Sequence, residues 1–352
     1  MYIKEFEDAM KACRFCFMCR HLSAVGNVTF SESDTPRGRA LMLDKVTMNP
    51  DFLRSEAVVS TMYKSDLSAC CRFHCVNHYD ENELVAIAAR RDIVEAGAAP
   101  EKVKALAKEL AKGAVFKVAG KKADTLYFTD KYTVERPDIS AAFKKITDAA
   151  KVPFMTISGG CLGKALKTLG FEAEAKKAAA AFAKAVTASG AKVLVVSNPA
   201  AYDAVKNNFP ALGVKLKCKV MHTAEFIAEK LGKLKLRKPA KKTAGVYYLE
   251  SDFLKNYNGN VAAPREVLEK CGFTLKPFGT NNEESFSAGE GACVLRELDP
   301  CLVKLLAEKV ASRCDDAKND QLITASPYTR HALATEAKLN VKTIEEAVAA
   351  LL

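Results

Sequence analysis

Two stretches decide the fold: residues 193–205, VLVVSNPAAYDAV, and residues 321–333, QLITASPYTRHAL. Each opens with a run dominated by apolar and β-branched residues, passes through polar residues into Pro199 or Pro327, and continues with helix-forming residues. A short apolar run bounded by a turn reads as a buried strand, and proline at the first helical position marks the helix that follows. The two prolines lie 128 residues apart (327 minus 199), and the flanking segments match as well. Residues 220–231, VMHTAEFIAEKL, and 340–352, NVKTIEEAVAALL, read as the closing helix of each copy. An internal repeat of this length implies a duplicated unit with a cleft between its halves.

Working outward, residues 125–130, 152–158 and 191–198 read as strands of the first copy, with helix over 170–190. In the second copy 245–251, 273–279 and 320–327 read as strands, with helices over 263–272 and 302–313. Strands alternating with helices imply an α/β layer arrangement around a parallel sheet. Residues 1–112 read differently, as helices joined by short loops; 81–97 is apolar at helical spacing, and 100–113 runs from Pro100 to Gly113 as helix punctuation requires. The fold class is α/β, with a helical module at 1–112 and duplicated α/β domains at 113–235 and 240–352.

With 49% hydrophobic and 27% charged residues over 352 positions, the composition is that of an ordinary globular protein. No apolar run approaches the ~18–20 residues that cross a bilayer. The acidic start, MYIKEFEDAMKAC, lacks a signal-peptide pattern, so a cytoplasmic location is expected, with membrane association only through partners. The net charge of +11 is concentrated in Lys230, Lys233, Lys235, Arg237, Lys238, Lys241 and Lys242. No aromatic residues interleave with them to stack on bases, so nucleic acid is not the expected partner and a solvated basic linker is.

Twelve cysteines in such a chain are not a disulfide framework. Six fall within residues 13–75, and Cys13, Cys16 and Cys19 form a C-x2-C-x2-C run. Thiolates at this spacing wrap one side of a [4Fe–4S] cubane and leave one iron for a distant ligand. Structural zinc more often uses two separated pairs, and a redox dithiol needs only one. Two-cluster ferredoxins extend the run to C-x2-C-x2-C-x3-C, the fourth cysteine serving the other cluster. Counted that way, the first run ends on Ser23, and the second reads Ser65, Ser68, Cys71, Cys75. One cluster keeps all four thiolates: Cys13, Cys16, Cys19 and Cys75. The other retains Cys71 alone, and serine hydroxyls seldom hold iron–sulfur clusters.

These residues carry a resemblance. CRFCFMCRH (13–21), DTPRGRALML (34–43) and CCRFHCVNHYDENELVAIAARRDIVEAG (70–97) resemble the helical ferredoxin module of iron–sulfur subunits in glycolate oxidase, anaerobic glycerol-3-phosphate dehydrogenase and lactate-utilisation complexes. The α/β halves are similar to the paired CCG domains of the same subunits and of the heterodisulfide reductase catalytic subunit. ISGGCLGKALKTLGF (157–171) keeps Cys161 alone of the first CCG segment, and Val76 stands where the family usually has proline. The C-P-x-C turns appear as Ser197-Asn198-Pro199-Ala200 and Ser326-Pro327-Tyr328-Thr329, and the second CCG turn as residues 286–291, FSAGEG. The resemblance implies an electron-transfer subunit for an FAD-binding dehydrogenase or oxidase partner, non-catalytic in itself, with degenerate CCG halves as docking scaffold.

Two other readings stand beside this one: a scaffold protein with a structural cluster, and a disulfide reductase rebuilt around Cys161 and Cys293. Cys70 falls outside the counted register. Cys218, Cys271, Cys301 and Cys314 fit no metal spacing. His21, His74 and His78 flank the cysteines as candidates for tuning or, less often, ligating iron. His222 and His331 sit at expected helix starts, and SGGCLG (158–163) is a weak phosphate-loop signal lacking the remaining motif.

Overall fold

The structure, a computed structural model, describes residues 1–76, 80–240, 245–278 and 286–352. His78, Lys241 and Lys242 lie outside the described residues.

The first hundred residues are helical. Helix Pro36–Met48 starts as its sequence requires, with the Thr35 side chain accepting from the Gly38 amide and Pro36 at the first helical position. Glycine is needed at 38, because a Cβ there would sit 2.0 Å from the Glu32 carbonyl oxygen. Helix Glu56–Lys64 is capped by Ser55 in the same way. The helical stretch Asn82–Glu95 opens in π geometry and continues as α-helix, and helix Glu101–Lys112 runs from Pro100 to Gly113 as read. Met10, Leu43, Val46, Met62, Leu84, Val85 and Ile93 form the buried seam between these helices. The Asp92 carboxylate accepts from the amides of Tyr2 and Ile3, fastening the chain start to the module.

Two sheets follow. The first holds β1 (Phe116–Ala119), β2 (Thr125–Thr129), β3 (Phe154–Gly159), β4 (Val193–Val196) and β5 (Lys219–His222) in the order β1-β3-β2-β4-β5. All neighbours are parallel except the β1–β3 edge. Leu126, Tyr127 and Phe128 of the central strand are all buried, as a parallel sheet covered on both faces demands. On one face Phe143 of helix Pro137–Ala149 stacks on Tyr127; on the other Phe182 of helix Glu172–Ser189 meets Phe128 edge-on. The second sheet, β6 (Gly245–Leu249), β7 (Thr274–Leu275), β8 (Gln321–Thr324) and β9 (Asn340–Thr343), is parallel throughout in the order β7-β6-β8-β9. It superposes in order on β3-β2-β4-β5 of the first. The expected α/β fold is present.

The ends of the copies differ from the sequence reading. Residues 219–222 and 340–343 are edge strands, and only then do helices Thr223–Lys230 and Ile344–Ala349 begin. Each helix opens with a full capping box, His222 with Glu225 and Thr343 with Glu346. These strands mix polar and apolar residues over only four positions, so neither shows the continuous apolar run that marks β4. β1 was likewise not anticipated.

The basic run behaves as a linker: Leu234 and Leu236 pack half-buried while Lys233, Lys235, Arg237 and Lys238 stay exposed. Among the described residues no helix is long and apolar enough to cross a membrane.

Candidate functional site

Short turns place the cysteines. Cys13 ends helix Glu7–Ala12, Cys16 leaves the next turn in extended conformation, and Cys19 precedes a further turn, Arg20–Leu22. Cys75 follows the turn Cys70–Phe73. The two loops meet at His21 and His74, whose rings pack edge-to-face 5.1 Å apart. Cys13, Cys16, Cys19 and Cys75 are close enough to act on one another electrostatically. Burial, and then the charges that Cys75, Cys19 and Cys16 bring, push the Cys13 thiol up to about 12, against the pull of Arg37. Burial pushes Cys19 up to about 11, although the Arg37 backbone amide donates to its sulfur. That amide belongs to the open N-terminal turn of helix Pro36–Met48, which favours negative charge.

Cys13 and Cys19, crowded in this way, resist ionisation unless a cationic centre compensates them. Among the described residues no three His, Cys, Asp or Glu side chains are placed to hold a single metal ion. A cubane, which gives each thiolate its own iron and spreads them more widely, fits this donor set.

The second counted set is engaged elsewhere. Ser65 Oγ donates to Glu81 Oε1, and Glu81 pairs with Arg39, both partners being almost fully buried. Ser23 Oγ donates to the Asp34 carbonyl and accepts from the Gly26 amide. Cys71 is buried, and burial together with the neighbouring Glu81 charge holds its thiol well above the ordinary range. Cys70 is buried as well and takes a contact from Asn256 Nδ2 of the second α/β half.

Where the two halves and helix Glu101–Lys112 meet, a cavity of about 190 Å³ opens. It lies at the carboxyl ends of β2, β3 and β4, the place where open parallel sheets bind ligands. Cys161 and Cys293 both line it. Cys161 Sγ accepts from the Gly163 amide, yet burial keeps its thiol above the usual range. Cys293 is held in a tight turn with φ +62° and ψ −40°, closed by the Val294 amide donating to the Ala292 carbonyl; this is the rare, strained form of the γ-turn. Burial pushes its thiol up to about 12. Neither cysteine is a ready thiolate, which counts against disulfide chemistry here.

Oxygen and nitrogen groups stand at the turns that lead into Pro199 and Pro327. Asn198 caps helix Pro199–Asp203 and donates to Asp130, while Ser326 caps helix Pro327–Glu336. His222 is structural: Nδ1 accepts from the Ala224 amide, and Nε2 lies 3.0 and 3.1 Å from the Ser197 and Ala325 carbonyls, tying the two halves together. His331 lies inside helix Pro327–Glu336, not at its start.

Sequence reading missed a buried acid group. Asp66 of the module and Asp252 and Glu290 of the second half are all buried. Glu290 accepts from Ser251 Oγ and the Asp252 amide; Asp252 accepts from Ser287 Oγ and the Gly291 amide. Gly291 is a close approach, since a Cβ there would lie 2.0 Å from the Leu67 carbonyl oxygen. Burial pushes Glu290 up to about 7 and Asp66 up to about 6, with Glu81 raising Asp66 and Arg39 opposing. Burial and the Glu290 charge hold Asp252 well above the carboxylate range.

The folded chain therefore keeps protons that an unfolded chain has lost by neutral pH. Because the native state binds more protons at these groups, their contribution to stability falls as pH rises from the ordinary carboxylate range through about 7. Denaturant unfolding at several pH values should show this decline, and Glu290→Gln should flatten it. A slope unchanged in that variant would exclude Glu290 as its source.

No protein-family model matches the chain. It is 30% identical over 140 residues to the EtfAB:quinone oxidoreductase of Syntrophomonas wolfei, covering 39% of this chain and 19% of that protein. It is 26% identical over 223 residues to the probable iron–sulfur-binding oxidoreductase FadF of Bacillus subtilis, covering 60% of this chain and 29% of that one. The chain thus spans less than a third of either relative's length, and it is distantly related to oxidoreductases, one of them named as iron–sulfur-binding. In fold it matches the crystal structure of a hypothetical protein from Helicobacter pylori, with a TM-score of 0.63 at 12% identity over 99% of this chain and 76% of that one.

Proposed function

We propose that this chain holds one [4Fe–4S] cluster on Cys13, Cys16, Cys19 and Cys75 and relays single electrons from a partner flavin-dependent dehydrogenase. The observation that carries the reading is the convergence of those four thiols, one of them accepting from the Arg37 amide. Bound there, the cluster supplies reversible one-electron reduction. The chain's part is to hold the thiolates, to set positive groups beside them through Arg37 and its helix N-terminus, and to leave one edge accessible. In the second counted set Ser65 is engaged with Glu81 and Ser23 with the Asp34 carbonyl and Gly26 amide, which supports one centre and not two. The α/β halves serve as docking scaffold. The relationship to oxidoreductases supports the same reading.

The surface around the cysteines supports a docking role. Phe15, Phe17, Met18, Phe73 and Val76 are 84%, 65%, 47%, 42% and 72% exposed, and each lies within three residues of Cys16 or Cys75. Phenylalanine and methionine gathered this way are typical of an interface core, and large apolar side chains exposed together mark a contact site.

Anaerobic reconstitution should yield about four irons per chain and a reversible one-electron paramagnetic signal. A substrate-reduced flavin dehydrogenase should reduce the protein. Fewer irons, or a centre that takes no electron, would overturn the reading, the second result favouring a scaffold with a structural cluster. Changing Phe15 and Phe17 together to Asp should leave iron content intact and lower the reduction rate at limiting partner by about tenfold. An unchanged rate would move the docking site elsewhere.

A further inference from the structure

We infer that the basic cleft where the linker crosses the ends of helices Pro137–Ala149 and Ile344–Ala349 docks an extended acidic segment of a partner protein. The cleft, of about 790 Å³, gathers Lys145 and Lys151 from the first helix and the turn after it, and Lys233 and Lys235 from the linker. All four are exposed, none enters an ion pair among the described residues, and the lining holds no acidic side chain. A site of this size takes a stretch of ligand and not a single ion.

Along the linker Leu234 and Leu236 turn inward, while Lys233, Lys235 and Arg237 stay exposed. The Arg237 amide donates to the Leu351 carbonyl and ties the segment down. Alternate positions of an extended chain stand ~6.5–7 Å apart, so this row matches carboxylates at every second residue of an extended peptide.

The positive charge exceeds what the fold itself uses. Lys145 Nζ donates to the Ala349 carbonyl, as lysines do at helix C-termini. Each of the two helix ends carries about half a negative charge. Granting Leu352 a full negative charge as well, about two of the four positive charges remain uncompensated. The acids nearest in sequence are held elsewhere: Asp148 by Lys144, Glu229 by Lys219 and Lys230, and Glu346 by Arg330. A concave surface of one sign concentrates its potential on an opposite charge.

The same features select among anions. Both bordering helices present C-termini, not the amide-rich N-termini that hold phosphate, and the lining contains no arginine fork. No aromatic side chain lines the cleft to stack on a base. Leu234 and Leu236 pack against the core, away from any bilayer the lysines would meet. Carboxylates on a peptide suit lysines, which reach with point charges on flexible stems.

The test uses the full, cluster-loaded chain and fluorescein-labelled peptides of about twelve residues, one alternating Glu with Ser and one alternating Gln with Ser. By fluorescence anisotropy the Glu peptide should bind saturably at one site, more weakly as salt rises, and the Gln peptide at least about tenfold more weakly. Lys233→Glu with Lys235→Glu should weaken the Glu peptide by at least about tenfold. Lys176→Glu with Lys177→Glu, the same charge change at exposed positions of helix Glu172–Ser189, should alter it less than about twofold. Cys16→Ala should leave binding unchanged, which separates this surface from the cluster; loss of binding there would overturn the inference. Equal losses in the two lysine variants would reduce the effect to net charge and overturn it too. So would absence of saturable binding, or tighter binding of phosphatidylserine vesicles or short single-stranded DNA through Lys233 and Lys235.

Discussion

Iron content is expected to fall from about four per chain to below one when Cys16 becomes alanine, and to remain at about four when Cys71 does. The contrast follows from what surrounds each sulfur. Cys16 is part of the mutually interacting set, and its charge bears directly on Cys13. A cubane that loses one thiolate in a solvent-accessible loop leaves an iron open to water and degrades. Cys71 is buried beside Glu81, whose carboxylate opposes formation of a second anion there. It also lies near Cys19, so the test is a demanding one. Cys75→Ala should match Cys16→Ala, because Cys75 bears on both Cys13 and Cys19. Iron retained in Cys75→Ala but lost in Cys71→Ala would replace the counted fourth ligand with its neighbour. Iron, sulfide and visible absorption, measured anaerobically after reconstitution, decide between these outcomes.

The cysteine run and the proline-led turns were legible in the sequence because their information is local. Spacing among Cys13, Cys16 and Cys19 is a property of seven residues, and the strand–proline–helix units at Pro199 and Pro327 each occupy about a dozen. The edge strands β1, β5 and β9, four residues apiece, carry too few positions for an alternation to stand out.

The buried polar groups were illegible for another reason. Asp66 and Glu290 are 224 positions apart (290 minus 66), and Lys164 and Asp203 are 39 apart, so nothing in a one-dimensional pattern joins them. A partial signal was present. Lys164 within GGCLGKAL and Glu290 within SAGEGAC are single charges inside small, apolar turns, and an ion so placed calls for a partner. The serines of the second counted set could be found by spacing alone. The Arg39–Glu81 pair beside Ser65 could not, because both residues come from outside both runs.

Arg39→Ala is expected to destabilise the helical module by about 3–5 kcal/mol, the usual cost of leaving one member of a buried ion pair without its partner. Arg39 and Glu81 are 1% and 2% exposed. Arg39 Nε also donates to the Thr61 carbonyl, and Glu81 also accepts from Ser65, so the pair joins helices Pro36–Met48, Glu56–Lys64 and Asn82–Glu95. Removing the guanidinium leaves Glu81 with the Ser65 hydroxyl and a cavity. Arg39→Met combined with Glu81→Leu removes both charges and keeps most of the volume, and should cost much less than Arg39→Ala alone. Urea unfolding followed through the helical signal, at fixed cluster content, measures both. A loss below about 1 kcal/mol for Arg39→Ala would show the pair to be dispensable. A double variant as poor as the single one would instead assign the stability to the specific hydrogen bonds at Thr61 and Ser65. A large loss in Arg39→Ala that the double variant mostly restores is the pattern expected, since the pair is buried between three helices and bonded to each side by Thr61 and Ser65.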